Sequence, residues 1–113
     1  MTAEAGREVF AQRGNDAFWR FHDLVFQNQR ALERADLERY AQMAGVNLAR
    51  FRSALDQRVH QQAIRDDVSA ADATGLGIGT PTTFVNGHAV VGAQPFAEFQ
   101  RVIDAELGRP AQR

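Results

Sequence analysis

Residues 79–96 read GTPTTFVNGHAVVGAQPF, and this stretch decides the fold of the carboxyl-terminal third of the chain. Two short runs of β-branched and aromatic residues flank the pair Asn86-Gly87. An Asn-Gly pair between two such runs is the strongest short-range signal for a β-hairpin, because both turn positions need a positive φ. The sequence therefore predicts strands at Thr82–Val85 and His88–Val91, joined by a two-residue turn.

A closing helix is predicted after the hairpin. Gly92 ends the second strand, and Pro95 suits the first turn of a helix, where the missing amide of proline is not needed. Apolar residues then recur at helical spacing: Phe96, Phe99, Ile103 and Leu107. This stripe predicts a helix whose apolar face covers one side of the hairpin.

The first half of the chain predicts helices. The break at residues 14–16, Gly-Asn-Asp, separates a short helix over 3–12 from a second helix over 17–29. The second helix carries four aromatic residues on a wide arc, so we expect it to be a largely buried core helix. The four aromatic residues of that helix are Phe18, Trp19, Phe21 and Phe26.

Further helices are predicted up to Gly75. One spans 35–44 and stops at Gly45, and the next is capped by Asn47. Apolar residues continue at helical spacing over 48–74, and we expect a bend near Gln57.

Composition excludes several classes of function. The chain has 113 residues, a formal net charge of −1 and no cysteine, and its thirteen basic residues are all arginine. Arginine is interspersed with aspartate and glutamate, so no uncompensated basic patch predicts nucleic-acid binding. No stretch approaches the roughly 18 apolar residues of a membrane span. We therefore expect neither a nucleic-acid partner nor a membrane span.

Local motifs do not predict an active site. The glycines of residues 75–79 lead into a strand rather than a helix, so a flexible connection is favoured over a phosphate loop. The three histidines, His22, His60 and His88, lack the spacing of a metal-binding helix, and we expect no metal and no cofactor. The two serines, Ser53 and Ser69, lie outside any nucleophile turn, and the pair at 66–67 reads as a solvated acidic helix face.

The order of these motifs resembles the carboxyl-terminal part of DsbA-like thioredoxin-fold proteins. The matching stretches are GTPTTFVNG at 79–87, VVGAQPF at 90–96, FWRFHDLVF at 18–26 and the Tyr40-Ala41 pair before Gly45. The resemblance spans about residues 3–107 and implies a helix-rich α/β chain with a truncated thioredoxin-like fold. We expect a single domain over 1–113, with a helical insert at 3–74 followed by a hairpin and helix at 80–107.

The same resemblance implies a site at Thr80 and Pro81. In the family the matching proline is cis, faces the Cys-x-x-Cys pair and docks extended peptides through the backbone of the preceding residue. Sequence statistics alone favour a trans bond, since only about one X–Pro bond in twenty is cis. By resemblance, Thr80 and Pro81 form the peptide-binding position, and no catalytic residue is assigned.

The family's first strand and its active-site helix precede the helical insert, and no counterpart of either is recognised here. Thiol chemistry needs a low-pKa cysteine, which this chain lacks. Without its neighbouring strand, Thr82–Val85 is expected to be an open edge that attracts another strand. We therefore predict a homodimer through that edge, or pairing with a peptide or protein partner.

Three interpretations of function remain open on the sequence. The first is a non-catalytic DsbA-like binding or dimerising module. The second is the carboxyl-terminal part of an intact thiol–disulfide oxidoreductase or isomerase, and the third is an unrelated small helical interaction protein. The start of the sequence lacks a signal peptide, which predicts a cytoplasmic chain, or an exported one if a further segment precedes it.

Overall fold

The computed structural model describes residues 1–77 and 79–109. It contains five helices and two strands in the order α1 (Thr2–Gln27), α2 (Arg34–Met43), α3 (Leu48–Asp56), α4 (Gln61–Asp72), β1 (Thr82–Val85), β2 (His88–Val91) and α5 (Phe96–Leu107). The chain divides into two compact units, Met1–Ser69 and Ala70–Arg113, here called the helical unit and the hairpin unit. The predicted helix-rich α/β class, with a hairpin followed by a closing helix, is confirmed.

Helix α1 of the helical unit is broken at Gly14, where the sequence predicted a break, and it folds back on itself there. Gly14 has φ 78° and ψ −160°, whereas the residues on either side of it are helical. The two arms of α1, residues 2–13 and 15–27, pack so closely that a methyl group on Gly6 would lie 3.3 Å from Cε2 of Phe18. The break therefore separates the two predicted helices, which pack against each other as the two arms of α1.

Replacing Gly14 with alanine is expected to lower the free energy of unfolding by about 1–3 kcal/mol, because this backbone conformation is accessible only to glycine. Chemical denaturation followed by far-ultraviolet circular dichroism measures the change. Gly77→Ala is the matched control, since Gly77 has neither a positive φ nor a neighbour within 4 Å. Equal effects of the two substitutions would contradict the role given to Gly14.

The core of the helical unit forms where both arms of α1 meet α2 and α3. Its buried apolar residues are Ala5, Val9, Ala17, Phe21, Val25, Leu37, Tyr40, Ala41, Ala44, Val46, Phe51 and Leu55. Asn47 caps α3 by accepting a hydrogen bond from the amide of Arg50 at 2.9 Å, and the break at 57–60 separates α3 from α4. The predicted cap and the predicted bend are both confirmed.

Two predictions about apolar faces are wrong. The aromatic part of α1 is only half buried, since Trp19 is 53% and Phe26 60% exposed. In α5 the predicted stripe is turned outward at its ends, with Phe96 80% and Leu107 78% exposed, whereas Val102 is buried. A two-stranded sheet is too narrow to cover a whole helix face, so the hairpin unit buries only one row of α5.

The hairpin unit contains an antiparallel sheet of two strands. The pairs are Thr82 with Val91, Thr83 with Val90, Phe84 with Ala89 and Val85 with His88. Asn86 and Gly87 have φ values of 49° and 82°, as the predicted two-residue turn requires. Helix α5 packs against β1.

Candidate functional site

The loop that enters β1 carries the two residues predicted as a peptide-binding position. The Thr80–Pro81 peptide bond is cis, and both residues are exposed. The hydroxyl of Thr82 donates to the carbonyl oxygen of Gly79 at 2.5 Å, which ties the start of the strand to the loop before it. Thr80 and Pro81 thus lie at the open entrance of β1, and their binding role stays a prediction.

The hairpin register determines which backbone groups of β1 are used inside the sheet. Val85 and His88 flank the two-residue turn, so they exchange both of their hydrogen bonds. Bonded and non-bonded pairs alternate along an antiparallel ladder, which makes Thr83 and Val90 the next bonded pair. The odd-numbered residues of β1 therefore direct their amides and carbonyls toward β2.

The even-numbered residues of β1 face the other way. The amide of Gly92 donates to the carbonyl of Pro81 at 2.7 Å, which extends the same alternation beyond the strand. Thr82 and Phe84 lie between the bonded pairs, so their N–H and C=O groups point away from β2. Within residues 1–77 and 79–109, no backbone partner meets these groups.

The outer edge of β2 is partly closed. The side-chain amide of Gln94 donates to the carbonyl of Val91 at 2.9 Å, and the amide of Gln94 donates to the carbonyl of Gly92 at 3.0 Å. The chain also turns away at Gly92, where φ is 84°. Of the two edges in this sheet, β1 is the one that presents a continuous row of free backbone groups.

The two faces of the sheet differ in polarity. Thr82, Phe84, Ala89 and Val91 share one face, on which Phe84 is 49% and Val91 43% exposed. His88 lies on the opposite face near Glu98 of α5, and it adds to the influences that lower the pKa of Glu98. The main cause of that lowered pKa is the hydrogen bond from Arg101, whose charge acts in the same direction. The face bearing Phe84 is therefore open and apolar, whereas the charges lie on the α5 side.

The other chemically active residues considered from sequence do not form a catalytic site. His22 lies in a row of aromatic rings, 4.9 Å from Trp19 and 4.5 Å from Phe26 between ring centroids. Ser53 accepts a hydrogen bond from the side-chain amide of Gln57 at 2.7 Å, and Asp67 pairs with Arg7 at 2.8 Å on the surface. In the part of the chain that the structure describes, no cluster of side chains could hold a metal ion.

Sequence reasoning missed two buried carboxylates on the first arm of α1. Glu4 is 6% and Glu8 7% exposed. Arg58 binds Glu4 through two nitrogens, at 3.3 and 3.2 Å, and His60 lies 2.9 Å from Glu8. The hydrogen bond from Arg58 is the main cause that lowers the pKa of Glu4, against the opposing effect of burial. These pairs attach α1 to the turn between α3 and α4 and read as structural contacts.

The helical unit also carries an aromatic groove of about 400 Å³, which lies between the arms of α1 and α4. Its apolar lining includes Phe18, Phe21, Val25, Phe26, Ile64 and Val68. Phe26 and Val68, which line the groove, are 60% and 56% exposed, so this arc of α1 is only partly covered. No sequence signal separates such a half-covered arc from a buried one.

The fold and this site define a class of protein: a helical insert followed by a hairpin, entered through a cis-proline bond, and a closing helix. A family model described as a DSBA-like thioredoxin domain matches residues 2–104. The chain belongs to the DSBA-like thioredoxin domain family. The resemblance stated from the sequence is thereby confirmed, and the interpretation as an unrelated helical protein is wrong.

Curated relatives of this chain carry the name of an ion transporter. The chain is 47% identical over 88 residues to the Na(+)/H(+) antiporter NhaA 3 of Salinispora tropica, covering 78% of this chain and 13% of that protein. It is 34% identical over 101 residues to the Na(+)/H(+) antiporter NhaA of Herminiimonas arsenicoxydans, covering 89% of this chain and 16% of that protein. It is 35% identical over 109 residues to an NhaA 1 antiporter of Mycolicibacterium gilvum, covering 93% of this chain and 17% of that protein.

The chain therefore spans only 13–17% of the length of these relatives. No solved structure gives a significant match. Among the described residues, no helix combines the length and the apolar character that a membrane crossing requires.

Proposed function

We propose that this chain is a non-catalytic polypeptide-binding module, which binds an extended strand along the outer edge of β1. The observation that carries the proposal is the orientation of Thr82 and Phe84, whose amides and carbonyls point away from β2. Such a row of free backbone groups is the surface used in β-strand addition, where main-chain hydrogen bonds supply affinity and alternate side chains supply specificity. The chain contributes no cysteine, so it supplies no thiolate of its own.

The geometry of the entrance supports the same proposal. Thr80 and Pro81 are exposed beside the first free amide, that of Thr82. Phe84 is half exposed on the open face. It offers an apolar contact to the neighbouring side chains of an added strand that point to the same face. A suitable partner is an extended segment with β-branched or apolar residues at alternate positions.

Hydrogen exchange tests this proposal directly. The probe is a synthetic peptide of alternating threonine and valine that carries an uncharged hydrophilic tail. The chain used is the Thr83→Lys variant, in which like charges keep two copies of β1 apart, so that the outer edge is free before the peptide is added. Binding is expected to slow amide exchange at Thr82 and Phe84, measured by nuclear magnetic resonance, while the amides of positions 83 and 85 change little because they already bond to β2. Unchanged exchange at Thr82 and Phe84 at saturating peptide would overturn the proposal.

Thr82→Pro is expected to weaken binding of this peptide at least tenfold, because it removes an outward amide without removing a bond to β2. Thr82→Val is the matched control. It also removes the hydroxyl that bonds to Gly79, but it keeps the amide, so binding should stay close to that of the unmodified chain. Equal binding by the two variants in a titration would show that the edge amide takes no part.

A second candidate function follows from the relatives. Proteins named as Na(+)/H(+) antiporters contain a segment similar to this chain, which covers about one sixth or less of their length. We propose as the alternative that the chain works as one domain of a longer polypeptide, in which further segments supply transport or the thiol chemistry of the family. An antibody against the chain, used on cell extracts, distinguishes the two: a band near 12.5 kDa supports the independent module, and a much larger band supports the longer polypeptide.

A further inference from the structure

We propose that the strand bound by β1 is β1 of a second copy of this chain, so that two hairpins form one four-stranded sheet. This inference rests on the proposed function, since it names the partner of the same strand edge. Within residues 1–77 and 79–109, the outward groups of Thr82 and Phe84 have no backbone partner, and each of the two residues offers one donor and one acceptor. Because the edge carries both donors and acceptors, two identical edges related by a twofold axis can satisfy each other's hydrogen bonds.

The register of the pairing follows from the alternation of the ladder. Two copies of β1 run antiparallel in this arrangement. Every outward N–H and C=O group is used when Thr82 of each copy pairs with Phe84 of the other copy. Thr83 then faces its own counterpart at the axis as a non-bonded pair. A shift of the register by two residues in either direction would instead require Thr80, which lies before the first residue of β1, or Asn86, which lies in the turn at φ 49°. One register alone keeps all of its bonded pairs inside β1.

The side chains of β1 favour a like partner. Natural edge strands are protected by charges, prolines or bulges, whereas Thr82–Val85 contains none of these. In this register the two Phe84 rings are diagonal neighbours on the open face of the joint sheet, within reach of each other. Pairing would therefore cover side chains that are half exposed in a single copy.

The competing edge of the hairpin is less suitable. The carbonyl of Val91 on β2 is already bound by the side-chain amide of Gln94 at 2.9 Å. A sheet of two strands is marginal by itself, and a third and fourth strand add to its stability. These observations together favour β1 over β2 as the strand through which two copies pair.

Sedimentation of the full chain at micromolar concentration provides the test. We expect a species of twice the 12.5 kDa mass of the chain. Thr83→Lys and Thr83→Glu, placed at an exposed position on the axis, should each weaken the dimer at least tenfold, because like charges directly opposite each other repel. An equimolar mixture of the two variants should restore the dimer, and Ala93→Lys, an exposed charge away from β1, should leave it unchanged.

Three results would overturn the inference: a monomeric unmodified chain, a dimer that persists in Thr83→Lys, or a dimer whose Thr82 and Phe84 amides still exchange fast. The restored mixture guards against the case in which a variant simply fails to fold. The proposed function is tested separately, because monomeric Thr83→Lys keeps its outward amides and should still bind the uncharged threonine–valine peptide. Peptide binding by a strictly monomeric unmodified chain would leave the proposed function standing and refute the second copy as partner.

Discussion

Replacing Phe51 with alanine is expected to lower the free energy of unfolding of the helical unit by about 3–5 kcal/mol. Phe51 is fully buried in α3 and is one of the largest side chains that the core encloses completely. Its removal leaves a cavity where α3 meets α1 and α2, and packed helices relax only partly into such a space. Urea denaturation followed by far-ultraviolet circular dichroism measures the loss.

Phe26→Ala is the matched control for this substitution. Phe26 is 60% exposed at the end of α1, so deleting the same side chain there should change the free energy of unfolding by less than about 1 kcal/mol. A small effect at Phe51 would mean that the core is not packed as described. A large effect at Phe26 would mean that the outer arc of α1 is covered after all.

Replacing Arg58 with methionine is expected to lower the free energy of unfolding by about 1–3 kcal/mol, between the values of exposed and buried ion pairs. Glu4 is almost completely buried, whereas the side chain of Arg58 is 57% exposed, so solvent screens one end of the pair. Without Arg58, the Glu4 carboxylate loses its two hydrogen bonds from the guanidinium. The double variant Glu4→Gln with Arg58→Met should recover part of the loss, because a neutral amide is less costly to bury.

The pH dependence of stability separates this pair from a simple packing effect. The Arg58 hydrogen bond lowers the pKa of Glu4 in the folded chain, so the stability from this pair is present above the unfolded pKa of glutamate, about 4.3, and is lost as the pH falls through the lower folded value. In Arg58→Met that acid-side loss should become smaller, because the main cause that lowers the pKa of Glu4 is removed while burial still acts in the opposite direction. Parallel stability profiles below pH 5 for the two proteins would contradict this assignment.

Local signals predicted the positions of the turns and caps. Asn86-Gly87, Asn47 and Gly14 each carry a backbone requirement that few other residues satisfy, so each fixed a boundary without reference to the rest of the chain. The family motif predicted the site at Thr80 and Pro81, but only the register of the hairpin shows that Thr82 and Phe84 hold the free backbone groups.

The burial of faces could not be predicted in the same way. Periodicity shows that an apolar face exists, but the width of its neighbour decides how much of that face is covered. Trp19 stays half exposed although it lies on the apolar arc of α1, and Val102 rather than Leu107 is buried because two strands cover one row of α5. The buried carboxylates of Glu4 and Glu8 depend on partners more than fifty residues away, which no local pattern indicates.

The positions of the aromatic residues also determine which part of the chain is followed by ultraviolet absorption and fluorescence. The single tryptophan, Trp19, and the single tyrosine, Tyr40, both belong to the helical unit, and the hairpin unit contains only phenylalanine among the aromatic residues. Tryptophan and tyrosine absorption and fluorescence therefore follow the helical unit, while strand pairing at β1 involves neither of these two residues. Phe84→Tyr or Phe84→Trp would place a fluorescent residue in β1, so that pairing of this strand could also be followed by fluorescence. The emission of the unmodified chain comes from Trp19 in α1 and Tyr40 in α2.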